Sequence, residues 1–230
     1  MNEKLCHFGK MVDNHEQHAW RQHSLKASIE VQPVMHVNRV NVYGNIDLVV
    51  QRGSTAVVVA GHNEKAVRTI NPALFLGTLH FRQVASEPSL HHTLWPFRML
   101  KGNHPPKVVI ALTLPFIPVI QHYGTGDVYI YDVDQTDLML GMLGTGRVQA
   151  HGRVSGLAAS LTGEGEMDLS ALSCGMALTT LSGKGLIKVQ AENRLTARIS
   201  GEGHIIVHGS SPVVDSTVTG TGSVKSIPPG

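Results

Sequence analysis

Six copies of one short phrase, Gly-x-Gly, recur at nearly constant spacing through the second half of the chain. They are Gly124/Gly126, Gly144/Gly146, Gly163/Gly165, Gly183/Gly185, Gly201/Gly203 and Gly220/Gly222, and successive first glycines stand 20, 19, 20, 18 and 19 residues apart. Loop glycines keep no such period; a fixed period of this length marks a protein built from stacked supersecondary units. Aligned on the first glycine, the copies carry His122, Met142, Leu161, Leu181, Ile199 and Val218 two residues before it. Four residues after it stand Val128, Val148, Met167, Ile187, Ile205 and Val224; six after it stand Ile130, Ala150, Leu169, Val189 and Val207, with Ser226 breaking the column. Positions four and six share a strand face, so each copy reads as a glycine turn followed by a half-buried strand. A second short strand leads into the turn, as in Leu138, Leu140, Met142 and again in Leu195, Ala197, Ile199.

A unit this short cannot bury its apolar face alone, whereas stacking one unit on the next makes a continuous core. The expected fold is therefore all-β, a parallel β-helix or β-solenoid with coils of about 19–20 residues. Glycine suits the corner because a sharp bend needs a positive φ or a close approach of backbones, and all twelve glycines of the phrases are read as structural turn residues. Strands at even spacing also suit an antiparallel sandwich with hairpins at the glycines, which is the alternative. The outward positions favour stacking. Equivalent residues of neighbouring coils lie about 4.8 Å apart, where like charges repel and opposite charges pair. The middle residues of the turns are Thr125, Thr145, Glu164, Lys184, Glu202 and Thr221; the next column is Asp127, Arg147, Glu166, Leu186, His204, Ser223; and Asp168 faces Lys188. None of these columns sets two like charges side by side.

Upstream of the repeats the rhythm is looser. Residues 1–34 form a polar, His-rich arm, 35–84 irregular β coils, 85–106 an inserted loop and 107–227 the regular solenoid, with 35–227 one continuous domain. Alternation begins with Val34, His36 and Asn38 and continues through Val40, Val42, Gly44, Ile46, Leu48 and Val50, with the bend at Gly44-Asn45. An apolar run follows from Ala56 to Ala60, and Val67 to Ile70 and Thr78 to Phe81 read as two further short strands.

The inserted loop is too long for a plain connection and is the natural place for binding. Trp95, Phe97 and Arg98, with His91 and His92, are the candidate contact residues, since exposed aromatics beside arginine are what interfaces favour. The competing reading folds both aromatics back as a plug for the core. His91, His92 and His104 lack a fourth ligand or an acid for zinc, as do His15 and His18 in the arm. No metal and no cofactor is therefore expected.

The formal charge is +2 without a Lys/Arg cluster, and aromatics are 5% of the chain, so nothing points to nucleic acid. Cys6 and Cys174 lie far apart and read as free thiols, Cys174 packed. The arm shows no apolar run behind a basic start, so neither a signal peptide nor a membrane span is expected. The glycine phrases lack the spacing of phosphate loops, and there is no Gly-x-Ser-x-Gly elbow.

One set of motifs points to a known family. Gly44 to Asp47 (Gly-Asn-Ile-Asp), Val57 to Gly61, Gly77 to Phe81 (Gly-Thr-Leu-His-Phe) and Val108 to Pro115 lead into the serial Gly-x-Gly strands. Over residues 36 to 227 this succession resembles the GIN domain found in putative auto-transporter adhesin heads. The resemblance implies a parallel β-helix-like fold in an exported, envelope-associated protein with adhesive or binding function. Two departures are the missing export signal and the long Trp95 loop.

The function expected is thus a non-enzymatic binding or structural module, its candidate partners a cell-surface glycan or protein, its open solenoid ends compatible with homo-oligomers. The alternative is a polysaccharide-active β-helix enzyme, a lyase or hydrolase, which needs carboxylates converging in one cleft. Asp132, Asp134 and Asp137 are the nearest approach to such a cluster.

Overall fold

The computed structural model describes residues 27–31, 36–61, 64–84, 108–209 and 213–227. The first coil consists of β2 (Arg39–Gly44) and β3 (Ile46–Arg52), joined at Gly44-Asn45. The second coil begins with β8 (Val119–Gly124) and turns at the first Gly-x-Gly into β9 (Val128–Gly144). Strand β9 bends in mid-course and ends at the next glycine, a pattern repeated by β10 (Arg147–Gly163), β11 (Glu166–Gly183) and β12 (Leu186–Gly201). The stack ends with β13 (His204–His208), β14 (Val213–Gly220) and β15 (Ser223–Ile227). The two short strands expected per repeat are thus fused into one long bent strand.

Every coil has two faces. The segments entering the glycine turn pair in parallel from β2 through β8 and the ends of β9 to β12, finishing at β14. Those leaving it pair in parallel from β3 through the starts of β9 to β12, then β13 and β15. The pairs Gly124↔Gly144, Gly144↔Gly163, Gly163↔Gly183, Gly183↔Gly201 and Gly201↔Gly220 are all in register. This parallel ladder replaces the sandwich alternative, because hairpins at the glycines would have paired the strands antiparallel.

The two glycines of each phrase do different jobs. The first ends a strand, and from Gly144 to Gly220 it takes a positive φ; Gly124 does not. The second glycines, Gly126, Gly146, Gly165, Gly185, Gly203 and Gly222, lie between strands, and none of them has a positive φ. Their requirement is for space alone. A Cβ at Gly126 would collide with the Ile46 carbonyl, one at Gly146 with the Gly126 carbonyl and one at Gly222 with the Gly203 carbonyl. At Gly165 it would stand 2.7 Å from the Gly146 oxygen, and at Gly185 and Gly203 2.6 Å from Cδ2 of Leu161 and of Leu181. The second glycine thus lets the chain close over the backbone and the core side chains of the coil below.

Gly44 also belongs to the glycine column, since it pairs with Gly124. Leu48 pairs with Val128, so 80 residues separate coils that elsewhere lie about one repeat apart. The intervening chain makes β4 (Ala56–Gly61), a short helix α1 (Glu64–Arg68), β5 (Ile70–Phe75), β6 (Thr78–Gln83) and β7 (Val108–Leu114). Here β6 and β7 still stack in parallel on β2 and β3, but β4 runs antiparallel to β7 and to β1 (Ala27–Val31), and β5 antiparallel to β6. The chain therefore enters a strand already within the stretch read as a polar arm.

Two local expectations fail for visible reasons. Glu64 to Arg68 is helical where a strand was expected from Val67; Glu64 sits in the first turn and Arg68 in the last, which complements the helix dipole, and Ala66 and Val67 are buried. Residues 36–38 lie outside any strand, and the Asn38 N–H donates to the Gly77 carbonyl at 2.8 Å, tying the chain to the β5–β6 turn.

The inward columns make one core. Met142, Leu161, Leu181, Val128, Val148, Met167, Ile187 and Ile205 are at most 2% exposed, and the column opens only at the last coil, where Val218 reaches 41%. A smaller cluster on the outward side joins Val49, Val109 and Ala111 with Val58, Tyr129 and Tyr131.

Outward columns pair as stacked charges should. Arg147 Nη2 lies 3.0 Å from Glu166 Oε2, and Lys188 Nζ lies 2.8 Å from Glu166 and 3.3 Å from Asp168. Lys184 meets Glu202 at 3.3 Å and Arg194 meets Asp215 at 3.2 Å. Burial works to raise the Asp168 carboxyl, but hydrogen bonds from Ser170 and the Lys188 ammonium outweigh it, and the pKa falls below the usual value. Tyr43 and Tyr123 stack with ring centroids 4.8 Å apart.

Leu181 is wholly buried between two coils, so Leu181→Ala should lower the unfolding free energy by roughly 2–5 kcal/mol. Denaturant melts check this; an unchanged midpoint contradicts the inward assignment.

Candidate functional site

Trp95, Phe97, Arg98, His91 and His92 lie outside the described residues, as do His104 and Cys6. Among the described residues, no group of three or more His, Cys, Asp or Glu side chains is placed to hold a metal ion.

The three candidate acids sit at the corner opposite the glycine turns. Asp132 has φ 54 and its Oδ2 accepts from Gln51 Nε2 at 3.3 Å. Asp134 meets Arg52 Nη1 at 3.4 Å and is largely exposed. Asp137 lines a different depression from Asp134. Two of the three are thus engaged one coil down with Gln51 and Arg52, and Asp134 and Asp137 face different spaces.

This corner is where the repeats differ in length. Register breaks fall between Ala150 and Gly152, Gln149 and Gly152, Leu169 and Ser173, and Cys174 and Met176, whereas the glycine turns stay in step. A residue gained or lost here shifts a bend without disturbing the stacked core, so the corner is free to carve a surface. It carves two adjoining depressions. One of about 650 Å³ is lined by Asp134, Arg153, Ser173, Glu192, Asn193 and Arg194 among others, and the Ser173 hydroxyl donates to Glu192 Oε1 at 2.5 Å. The other, of about 550 Å³, has an apolar floor of Met139, Ala158, Met176 and Leu178, with Asp137, Arg194 and Thr196 at its rim. Met176 and Arg194 line both.

Strand alternation produces the floor. Leu138, Leu157, Ala177 and Leu195 point inward and are buried, which turns their neighbours outward. Met139, Ala158, Leu178 and Thr196 then form one lateral column, and Asp137, Gly156, Met176 and Arg194 the next. Met139, Met176 and Leu178 are 51%, 58% and 42% exposed, although three coils of core lie directly beneath them. In the sequence this signal lies five and seven residues before each first glycine, in the uninterrupted run Met176-Ala177-Leu178.

Cys174 is buried, its Sγ 3.1 Å from the Gln190 carbonyl, and burial pushes its thiol up to about 11, so it packs and does not react. His122 is a polar residue in the inward column. Its Nε2 donates to the Ile46 carbonyl at 3.1 Å, which fixes the neutral tautomer, while Nδ1 is buried without a hydrogen-bond partner. Burial lowers its pKa, against the opposing pull of the Ile46 bond and of Asp47 and Asp127.

The folded-state pKa of His122 thus lies below the unfolded value of about 6.5. As pH falls through 6.5 the unfolded chain takes up the proton first, so this contribution is full above that pH and is lost below it. His122→Met, matching Met142 one coil on, should flatten the fall of stability between pH 7 and pH 5 by up to about 1.4 kcal/mol per pH unit. Parallel pH slopes for the two proteins in denaturant melts would contradict this.

Known proteins agree with this architecture. Residues 104–211, most of the regular solenoid, match the model of the family described as putative auto-transporter adhesin, head GIN domain. No curated protein matches the sequence. Among solved structures, a putative adhesin from Bacteroides fragilis is similar at 21% identity and a TM-score of 0.62, over 88% of this chain and 98% of that one. A putative adhesin from Parabacteroides merdae is similar at 13% identity and a TM-score of 0.50, over 87% and 95%. A putative lipid binding protein from Parabacteroides distasonis is similar at 17% identity and a TM-score of 0.50, over 87% and 96%. At these identities the likeness is one of fold.

Proposed function

We propose that this chain is a non-enzymatic binding module of the bacterial cell envelope, which holds an extended protein segment along its corner groove. The observation that carries the reading is the lateral column of Met139, Ala158, Leu178 and the adjacent Met176, exposed on a face whose other outward positions are mostly Ser, Thr and Arg. Methionine and arginine are enriched where proteins meet, and the thioether adapts to varied side chains. The lining residues include no aromatic ring on which a sugar could stack. Stacked coils supply a rigid floor, so little ordering of the module opposes binding. The family and two of the three solved neighbours carry adhesin descriptions, which supports binding over catalysis. The loop bearing Trp95, Phe97 and Arg98 is proposed as a second contact region, on its composition alone.

Screening the purified chain on a peptide library and a glycan array tests this. Peptides should be retained and glycans should not, and Leu178→Asp should weaken peptide binding at least about tenfold while leaving the melting temperature within a degree or two, because this side chain is outside the core. Silence on both arrays, glycan binding alone, or peptide binding unchanged in Leu178→Asp contradicts the proposal.

A further inference from the structure

The β5–β6 hairpin carries an apolar tip that packing does not explain. Leu74, Phe75 and Leu76 are 36%, 69% and 86% exposed, the last two the most exposed large apolar side chains among the described residues. Among those residues strand β5 pairs only with β6, and everything from Asn71 to Phe75 is exposed, so the hairpin stands clear of the core along one edge.

The turn itself gives an independent observation. Leu76 has φ 47 and Gly77 φ 73, two successive left-handed residues flanked by the pair Phe75↔Thr78. Two-residue hairpin turns of this kind favour Asn-Gly or Asp-Gly, because a branched apolar side chain in the left-handed region is strained. Here leucine holds that position and points into solvent. Local stability selects against leucine on both counts, so the residue answers to something outside the fold.

The charge around the tip narrows what that is. Residues 65–83 contain Lys65, Arg68 and Arg82 and no acid; the acid at the base of this segment, Glu64, lies 3.9 Å from Arg68. Exposed Arg39 pairs in register with Thr78, directly behind the tip. Pro72 lies on the outer strand and removes an N–H, so another strand cannot extend this edge along its length. A convex point of three apolar residues is far smaller than a stable protein interface, whereas a bilayer needs no matching pocket.

We infer that the Leu74–Phe75–Leu76 tip anchors the module peripherally to a bilayer containing anionic lipid, with Arg39 and Arg82 at the level of the headgroups. Phenylalanine and leucine enter the boundary between headgroups and acyl chains, and the arginines keep their charge at the wetted surface. Among the described residues no helix is long and apolar enough to cross a membrane. The tip reaches only the interfacial layer.

Co-sedimentation of the full chain with vesicles tests the inference, using phosphatidylcholine alone and phosphatidylcholine with roughly a third phosphatidylglycerol. The wild type should bind the anionic vesicles about tenfold more tightly than the neutral ones, and less at high salt. Phe75→Ser/Leu76→Asn should lose at least about tenfold in vesicle binding. Its melting temperature should hold or rise, since Asn-Gly suits the turn better than Leu-Gly. Leu178→Asp should leave vesicle binding unchanged, which separates this anchor from the groove. No vesicle binding, or binding that survives the double substitution, overturns the inference. So does a dimer in solution that the double substitution abolishes, which would make a second copy the occupant of the tip.

Discussion

The structure depends on a contact between backbones. At each turn the first glycine lies directly over the carbonyl of the glycine one coil below, close enough that a Cβ at Gly183 would stand 2.5 Å from the Gly163 oxygen. Gly183 also has φ 119, so both the space and the dihedral exclude a side chain. The same carbonyl accepts the Lys184 N–H at 3.0 Å, which carries the ladder through the bend without an unpaired group. Because the glycines are locked coil on coil, the strands entering and leaving the turn share one register, and a slip of one residue would turn the inward columns out. The buried columns, the charge ladders and the tyrosine stack all follow from that alignment.

A solenoid fixed along one edge has freedom along the other. The opposite corner absorbs every difference in repeat length, and it is there that Asp134, Arg153, Glu192 and Arg194 line one depression and Met139, Met176 and Leu178 floor the next. Invariance at the glycines and variation at the corner divide the labour between folding and recognition, as irregular segments on a regular scaffold commonly do. The β5–β6 hairpin belongs to the interruption between the first coil and the second, again outside the locked series.

What could be read from the sequence was what repeats. The period, the inward columns from Met142 to Ile205 and the parallel stacking were visible because each is sampled several times. The two glycines of a phrase look alike as letters, so the split between a dihedral role at Gly183 and a purely spatial one at Gly185 needed the backbone angles. Gly44 was seen as a bend but not as a member of the glycine column, since 80 residues separate it from its partner Gly124. The helix at Glu64 to Arg68 and the antiparallel pairing of β4 occur once each, and single occurrences leave propensity as the only guide. The apolar floor of the groove lies in the columns Met139 to Thr196 and Asp137 to Arg194, where Thr196, Asp137, Gly156 and Arg194 dilute the apolar signal of Met139, Ala158, Leu178 and Met176. Leu76 showed nothing unusual in sequence; its left-handed backbone and exposure exist only in three dimensions.

The most direct test of the central claim is the stability of Gly183→Ala beside Ser182→Ala, measured by calorimetry and denaturant melts. If stacking on the Gly163 carbonyl governs the fold, Gly183→Ala should lose roughly 1–3 kcal/mol through backbone strain alone, with more from the overlap, while Ser182→Ala stays close to wild type. Wild-type stability in Gly183→Ala, or an equal loss in both variants, would contradict the account.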